Sequence, residues 1–149
     1  MPFKIVRNDI THVKADVIVN TANLKPIYVS GTDLAVYQAA GDDELLVERK
    51  KVGCIERGDI AVTGAYALNA KYIIHTVGPV WVDGKHEEFE TLESCYAKSL
   101  QKALELGCDS IAFLLFQLVF MGFQKIKHCR LRCLCSADFY WKMKCRLFW

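Results

Sequence analysis

Four polar side chains stand where they could bind a ligand and act on it: Asp9, Asn20, Asn23 and Asp33. Asp9 follows the apolar run FKIV. Asn20 and Asn23 flank the turn after DVIVN, and Asp33 comes ten residues after Asn23. A carboxylate can accept a proton from water, and an amide can hold a ligand hydroxyl in place. Each residue also has a structural explanation, because Asp and Asn close turns at strand ends. Residue type alone leaves both explanations open.

The tetrapeptide SGTD adds a second feature to this group. It opens a predicted helix, so the backbone N–H groups of Gly31 and Thr32 could face a phosphate. Asp33 would lie in the first turn, where the helix dipole favours a negative charge. The stretch therefore suits a ligand that carries phosphate.

Apolar runs and helical patterns alternate along the chain and must position these residues. The β-rich runs predict strands at residues 3–6, 16–20, 58–63, 71–79 and 109–113. Helical patterns predict helices at residues 32–41, capped by Thr32 and ended by Gly41, at residues 42–53 and at residues 87–106. This alternation predicts an α/β domain with a mainly parallel sheet between helical layers. Ligands of such sheets bind beyond the carboxyl ends of the strands.

Composition is that of a soluble globular protein. The 149 residues fit one domain, with 52% hydrophobic and 24% charged residues. No apolar run reaches the roughly 18 residues of a membrane span, and the N-terminus lacks a signal-peptide layout. We therefore expect a cytoplasmic protein without membrane contact, whose seven cysteines form no disulfides. The net charge of +2 is uneven, being −4 for residues 1–113 and +6 for residues 114–149.

Five motifs follow one another along the chain: NDIT, VIVNTAN, GTDLAVYQAAG, GDIAVT and KYIIHTVGPVW. Together they resemble the macro domain family, the ADP-ribose-binding modules, and the resemblance runs from Phe3 to Phe113. The resemblance implies a three-layer α/β/α fold around a mixed six-stranded sheet. It implies ADP-ribose or a derivative as partner, either O-acetyl-ADP-ribose or an ADP-ribosylated protein, bound at the carboxyl edge of the sheet. It implies no metal and no cofactor, and we expect a monomer.

The resemblance also implies roles for individual residues. Asp9 would accept a hydrogen bond from the adenine amino group, with Ile10 beside it, and Asn20 would support the loop. Asn23 would bond the distal ribose, and Asp33 would position or activate a water that releases an acyl or ADP-ribosyl group. The catalytic candidates are Asn23 and Asp33. The ligand-binding candidates are Asp9, Ile10, Asn20, Ala22, Asn23, Ser30, Gly31, Thr32 and Asp33.

One departure from the family pattern favours an alternative function. Hydrolytic members have a run of glycines before the aspartate, which lets backbone approach the diphosphate closely. Here the run reads Tyr28-Val29-Ser30-Gly31, so Gly31 alone remains. A module that binds ADP-ribose without turning it over is therefore the alternative to a hydrolase.

The pattern changes after Phe113, where the family has a second phosphate loop, a helix and a final strand. Possible codons for Leu114 onward can be read in a frame that starts one base earlier, at the last base of the Phe113 codon. In that frame, permitted codon choices encode the loop Pro-Leu-Ile-Ser-Ala-Gly-Val-Tyr-Gly-Phe-Pro. The Gly after Tyr is forced, because Met121 has a single codon and Gly122 follows it. We therefore hypothesise a one-base deletion near the Phe113 codon. Residues 1–113 would be an incomplete macro domain, and residues 114–149 an out-of-frame tail rather than a domain.

The tail has two competing explanations and one expected consequence. Its cysteines do not follow standard zinc spacing, and no nucleic-acid-binding motif accompanies its basic charge, so we expect neither partner. The frameshift would remove or replace the C-terminal helix and last strand, leaving an impaired or inactive product. It would split the sheet between the first strand and SIAF unless residues 140–149 filled the gap.

Overall fold

A computed structural model describes residues 3–6, 8–28, 30–80, 82–83, 85–114 and 144–148. Its strands are β1 (Phe3–Val6), β2 (Val17–Thr21), β3 (Ile60–Gly64), β4 (Tyr72–Thr76), β5 (Ser110–Leu114) and β6 (Lys144–Phe148). Its helices are α1 (Gly31–Ala40), α2 (Asp42–Val52) and α3 (Glu88–Glu105), with a 3₁₀ turn at Ile10–His12. Within these residues, no helix is both long and apolar enough to cross a membrane.

The strands form one mixed sheet in the order β1-β6-β5-β2-β4-β3. Only the pairing of β3 with β4 is antiparallel within it. Helices α1 and α2 pack on one face through a core that includes Ile18, Tyr37 and Leu45. Helix α3 covers the other face, where Leu100 and Phe113 are buried. The predicted three-layer α/β/α architecture is therefore confirmed.

The start of α1 corrects one prediction. The helix begins at Gly31 rather than after Thr32, and Ser30 takes the cap position in an extended conformation, with φ −163° and ψ 171°. Thr32 was expected to be the cap, but it lies within the first turn. Gly31 has a φ of +69°, which an L side chain rarely adopts, so the chain turns into the helix one residue earlier.

The predicted helix ends are confirmed at two glycines. Gly41 has a φ of +99° and its N–H bonds the carbonyl of Tyr37, so it ends α1 and immediately precedes α2. Gly53 ends α2 by donating its N–H to the carbonyl of Arg49. One glycine therefore joins the end of α1 to the start of α2.

Strand β6 lies between β1 and β5 and pairs parallel with both. Cys145 is opposite Phe3 on one side and Ile111 on the other. The last strand is thus replaced by Lys144–Phe148, and the gap expected between β1 and β5 is filled from within residues 140–149. The changes predicted for the second phosphate loop and the C-terminal helix fall at residues 115–143, outside the described residues.

Candidate functional site

The carboxyl end of the sheet brings three polar side chains together beneath α1. Asn20 of β2 is the register partner of His75 on the parallel strand β4, so both side chains project from the same face. Asp33, in the first turn of α1, lies over that face. The amide nitrogen Nδ2 of Asn20 is 2.7 Å from Oδ1 of Asp33 and 3.2 Å from Nδ1 of His75.

Asn23 holds the other oxygen of the same carboxylate. Its Nδ2 donates to Oδ2 of Asp33 at 2.8 Å and to the backbone carbonyl of Ile27 at 3.0 Å. The second bond closes the loop after β2, so Asn23 faces Asp33 from a fixed position. The ten-residue interval in the sequence thus corresponds to direct contact between the two side chains.

The carboxyl group of Asp33 is buried, with 5% of the residue exposed. Burial raises its pKa above the ordinary value of 3.8, because a charged carboxylate is poorly solvated there. The hydrogen bonds from Asn20 and Asn23 and the positive charge of Arg49 oppose this effect. Asp33 is therefore a carboxylate whose charge depends on its neighbours.

Arg49 is a buried cation that the sequence analysis missed. Its residue is 1% exposed, and its guanidinium donates to the backbone carbonyls of Gly53 and, at 3.3 Å, of Asn23. Burial lowers its pKa, and the negative charge of Asp33 counteracts that effect. The spacing held a signal, because Arg49 lies one turn after the buried Leu45 and so shares its inward face.

His75 is a second missed residue, although it stands in the quoted motif KYIIHTVGPVW. Its imidazole is fully buried, with Nε2 2.9 Å from the hydroxyl of Thr63. Burial, with a smaller contribution from the charge of Arg49, lowers the pKa of His75 to about 3. The ring is therefore neutral in the physiological range.

Two tyrosines line the same region. The rings of Tyr28 and Tyr37 stack with centroids 4.5 Å apart, and the ring of Tyr37 lies 6.2 Å from that of His75. Burial and the nearby charge of Asp33 raise the pKa of Tyr37 to about 12. Tyr28, which departs from the glycine run of the family, is thus half-buried against an aromatic partner rather than fully exposed.

Asp9 and Ile10 stand apart from the Asp33 cluster. Asp9 is exposed and caps the 3₁₀ turn, accepting hydrogen bonds from the N–H of Thr11 at 2.9 Å and from its hydroxyl at 2.7 Å. These bonds lower the pKa of Asp9. Ile10 is buried in the core beneath α1. The structural role that the sequence left open for Asp9 is therefore present.

The remaining candidates surround the mouth of the site. Ala22 continues β2 and donates its N–H to the carbonyl of Thr76 at 2.9 Å. Ser30 and Gly31 are exposed at the start of α1, and Thr32 is half-buried beside them. The backbone at this helix start is thus exposed to solvent, and its contact with a phosphate stays a prediction.

A group of three possible metal ligands, Asp83, His86 and Glu88, lies in the segment after β4. The buried carboxylate of Glu88 already accepts backbone N–H groups from Val82, Asp83 and His86. Its oxygens therefore serve to order that segment around the first turn of α3.

The model of the macro domain family matches residues 19–131. A macro domain-containing protein of Listeria monocytogenes is 46% identical over 117 residues, which cover 76% of this chain and 66% of that protein. One from Chlorobaculum tepidum is 44% identical over 108 residues, covering 72% of this chain and 62% of that protein. The matches thus span less than two thirds of these relatives' lengths.

Solved structures of similar fold include several macrodomains. That of Oceanobacillus iheyensis with ADP has a TM-score of 0.81 at 27% identity, covering 97% of this chain and 80% of that one. That of Trypanosoma brucei in complex with ADP-ribose has a TM-score of 0.80 at 28% identity, covering 98% of this chain and 63% of that one.

Proposed function

Because this chain belongs to the macro domain family, we propose that it binds ADP-ribose or a derivative at the carboxyl edge of its sheet. We further propose that it hydrolyses such a derivative, either O-acetyl-ADP-ribose or an ADP-ribosyl group on a protein. The observation that carries the hydrolytic proposal is the buried carboxylate of Asp33, held on both oxygens by Asn20 and Asn23. The macrodomain neighbours bound to ADP or ADP-ribose support the choice of ligand.

In this proposal Asn23 and Asp33 act on the distal ribose. Both described side-chain bonds of Asn23 run through Nδ2, which leaves Oδ1 as an acceptor for a ribose hydroxyl. Asp33 orients a water molecule and takes one of its protons as the water oxygen bonds to the acyl carbon or to the ribose carbon that carries the protein group. The bond from that carbon to the ribose oxygen or to the protein group then breaks, and the leaving group takes up the proton held by Asp33. The open backbone at Ser30 and Gly31 would face the diphosphate.

The test compares Asp33→Ala with Asp43→Ala. Turnover would be followed as release of ADP-ribose from each substrate, and binding would be measured by calorimetry with ADP-ribose. Asp33→Ala should lower turnover by at least about a hundredfold while changing the Kd for ADP-ribose only a few-fold. Asp43 is exposed in the first turn of α2, so Asp43→Ala should leave both unchanged. Equal turnover in wild type and Asp33→Ala would refute the hydrolytic role.

A binding-only module is the second candidate function. One observation favours it: Gly31 is the only glycine left in the run before Asp33. It predicts tight ADP-ribose binding by the wild type with no turnover of either substrate. Burst and steady-state measurements on the wild type separate it from the hydrolase.

We also propose that residues 114–149 are the out-of-frame continuation of a domain formed by residues 1–113, which would leave this chain impaired or inactive. Deep sequencing across the codons for Ser110 to Met121 tests the origin of the tail. A frame-restored chain tests its effect, since it regains a Ser and a Gly where this chain has Gln117 and Val119.

The frame-restored chain should bind ADP-ribose at least about tenfold more tightly, because a second loop would then supply backbone N–H groups to the diphosphate. Both chains would be titrated with ADP-ribose under the same conditions. As a matched control, Asn23→Ala is introduced into both chains. It should weaken ADP-ribose binding in each of them. Equal affinity of the two parent chains would count against the out-of-frame interpretation of the tail.

A further inference from the structure

A row of hydrogen bonds runs from Asp33 down into the sheet. Asn20 joins Oδ1 of Asp33 at 2.7 Å to Nδ1 of His75 at 3.2 Å. His75 then reaches the hydroxyl of Thr63 on β3 through Nε2 at 2.9 Å, and that hydroxyl donates to the carbonyl of Gly64 at 3.2 Å. Asn20, His75 and Thr63 are 2% exposed or less. The middle of the row is thus buried in the protein.

The chemistry of each group fixes the direction of every bond in this row. An ionised Asp33 can only accept, so the amide of Asn20 must turn Nδ2 toward it. The second hydrogen on Nδ2 points to Nδ1 of His75, which must therefore be the acceptor. A neutral imidazole carries one hydrogen, so that hydrogen lies on Nε2 and is donated to Thr63. Gly64 receives the hydroxyl hydrogen of Thr63.

The opposite arrangement would disconnect Asp33. If the imidazole hydrogen moved to Nδ1, the amide of Asn20 would gain by flipping its oxygen toward the ring. Oδ1 of Asn20 has no hydrogen-bond partner among the described residues, so the flip would satisfy it. The flip would place an oxygen against the carboxylate of Asp33. The hydroxyl of Thr63, already committed to Gly64, opposes this by staying an acceptor for Nε2.

We propose that His75 and Thr63 are positioning residues, which fix the amide of Asn20 so that it holds the carboxylate of Asp33 toward the reacting water. The proposal rests on the proposed hydrolytic function, because the orientation of the Asn20 amide affects turnover only if Asp33 accepts a proton from water. Neither residue touches the ligand in this account. Both act through Asn20 alone.

Other ionisable groups also face this row and must be kept constant in any test. Arg49 projects from α2, and its charge lowers the pKa of both Asp33 and His75. Tyr37 projects from α1 against His75. A substitution at Thr63 leaves both of these groups in place, so Thr63 is the residue chosen for the test.

The test compares Thr63→Val with Thr63→Ser. Valine keeps the shape of threonine and removes the hydroxyl, whereas serine keeps the hydroxyl. In Thr63→Val, the ¹⁵N signals of His75 should lose the Nε2–H form, and the ¹³C-detected titration of the Asp33 carboxyl should move to higher pH. Turnover near neutral pH should fall about tenfold with KM within about twofold of wild type, as for one lost bond to a charged group. Thr63→Ser should restore all three.

A control distinguishes the loss of the Thr63 hydrogen bond to His75 from the general effect of removing a buried threonine hydroxyl. Thr76 is also a buried strand threonine, but its hydroxyl donates to the carbonyl of Asp59, outside the row. Thr76→Val should lower thermal stability without moving the Asp33 titration. The proposal is overturned if wild-type His75 carries its hydrogen on Nδ1, or if Thr63→Val and Thr76→Val behave alike.

The two proposals fail in distinguishable ways. If the wild type shows no turnover, the hydrolytic function fails, whereas the tautomer of His75 and the titration of Asp33 still respond to Thr63→Val. If turnover is present but neither spectroscopic signal responds, the positioning role fails alone.

Discussion

At the residue scale, Asp33 is where burial and charge oppose each other. Burial raises its pKa, so the ionised form needed to accept a proton costs free energy in the fold. Its two amide partners and the charge of Arg49 reduce that cost. The charge of Asp33 therefore depends on three neighbours, Asn20, Asn23 and Arg49.

The first prediction concerns pH. Turnover requires ionised Asp33, so it should fall as pH decreases through the raised pKa of this group, at higher pH than for an exposed aspartate. In stability the sign is opposite: a raised folded pKa favours the fold at low pH, and that contribution is lost as pH rises through it. Both pH effects would be measured as kcat and as the free energy of urea unfolding against pH, for wild type and Asp33→Ala.

Asp43→Ala serves as the control, since it alters an exposed carboxyl outside the site. Its profiles should follow those of the wild type. An acidic limb unchanged from that of an ordinary aspartate would contradict the environment assigned to Asp33.

The second prediction concerns Arg49. Replacing it with methionine removes the charge that faces Asp33 and the donors to Gly53 and Asn23. We expect a loss of about 3 kcal/mol in the free energy of unfolding, as for a buried charge network that loses one partner. The Asp33 titration should also move to higher pH. Lys50→Met, at an exposed neighbouring position, is the control and should change neither measurement.

At the element scale, the positions of strands β1 to β5 were predicted from the sequence, whereas the cap of α1 and the contacts between elements were not. The apolar runs placed β2, β4 and β5 correctly, since buried parallel strands read as continuous hydrophobic segments. The cap of α1 was predicted at Thr32 because threonine is a common helix cap. The helix begins one residue earlier, at Gly31, whose φ is positive. His75 was missed because its partners Asn20 and Thr63 lie on other strands, and the contact of Arg49 with Asn23 likewise joins separate elements, which local patterns do not describe.

The third prediction concerns the segment that joins β4 to α3. Glu88 is buried and accepts three backbone N–H groups, from Val82, Asp83 and His86. Glu88→Ala should lower the free energy of unfolding by about 2 kcal/mol, because those donors lose a charged acceptor. It should also speed hydrogen exchange at those three amides. Glu90→Ala, exposed in the same turn, should do neither. Unaltered exchange in Glu88→Ala would show that the segment is ordered without Glu88.

At the scale of the whole molecule, β6 makes the sheet continuous. It pairs parallel with β1 and β5, so the backbone groups of both neighbours are satisfied in the middle of the sheet. The family resemblance indicated that a strand was needed there. It could not indicate that Lys144–Phe148 would take the place, because these residues lie in the segment that was interpreted as an out-of-frame tail.

The fourth prediction tests this strand. Leu147→Pro removes one backbone N–H and should prevent cooperative pairing, since proline is excluded from central strands. We expect loss of a cooperative thermal transition and increased aggregation. Leu147→Ala keeps the N–H and should retain a cooperative transition at lower temperature. If both variants unfold alike, pairing of β6 does not hold the sheet together.

The pairing of Phe3 with Cys145 has a consequence for synthesis on the ribosome. The first strand emerges early but meets its neighbour only after nearly all of the chain in between has been translated. Until then β1 and β5 both present unpaired edges, which are templates for association with other chains. A nascent chain that pauses before Lys144 should therefore associate with other chains more readily than one in which β6 has been synthesised.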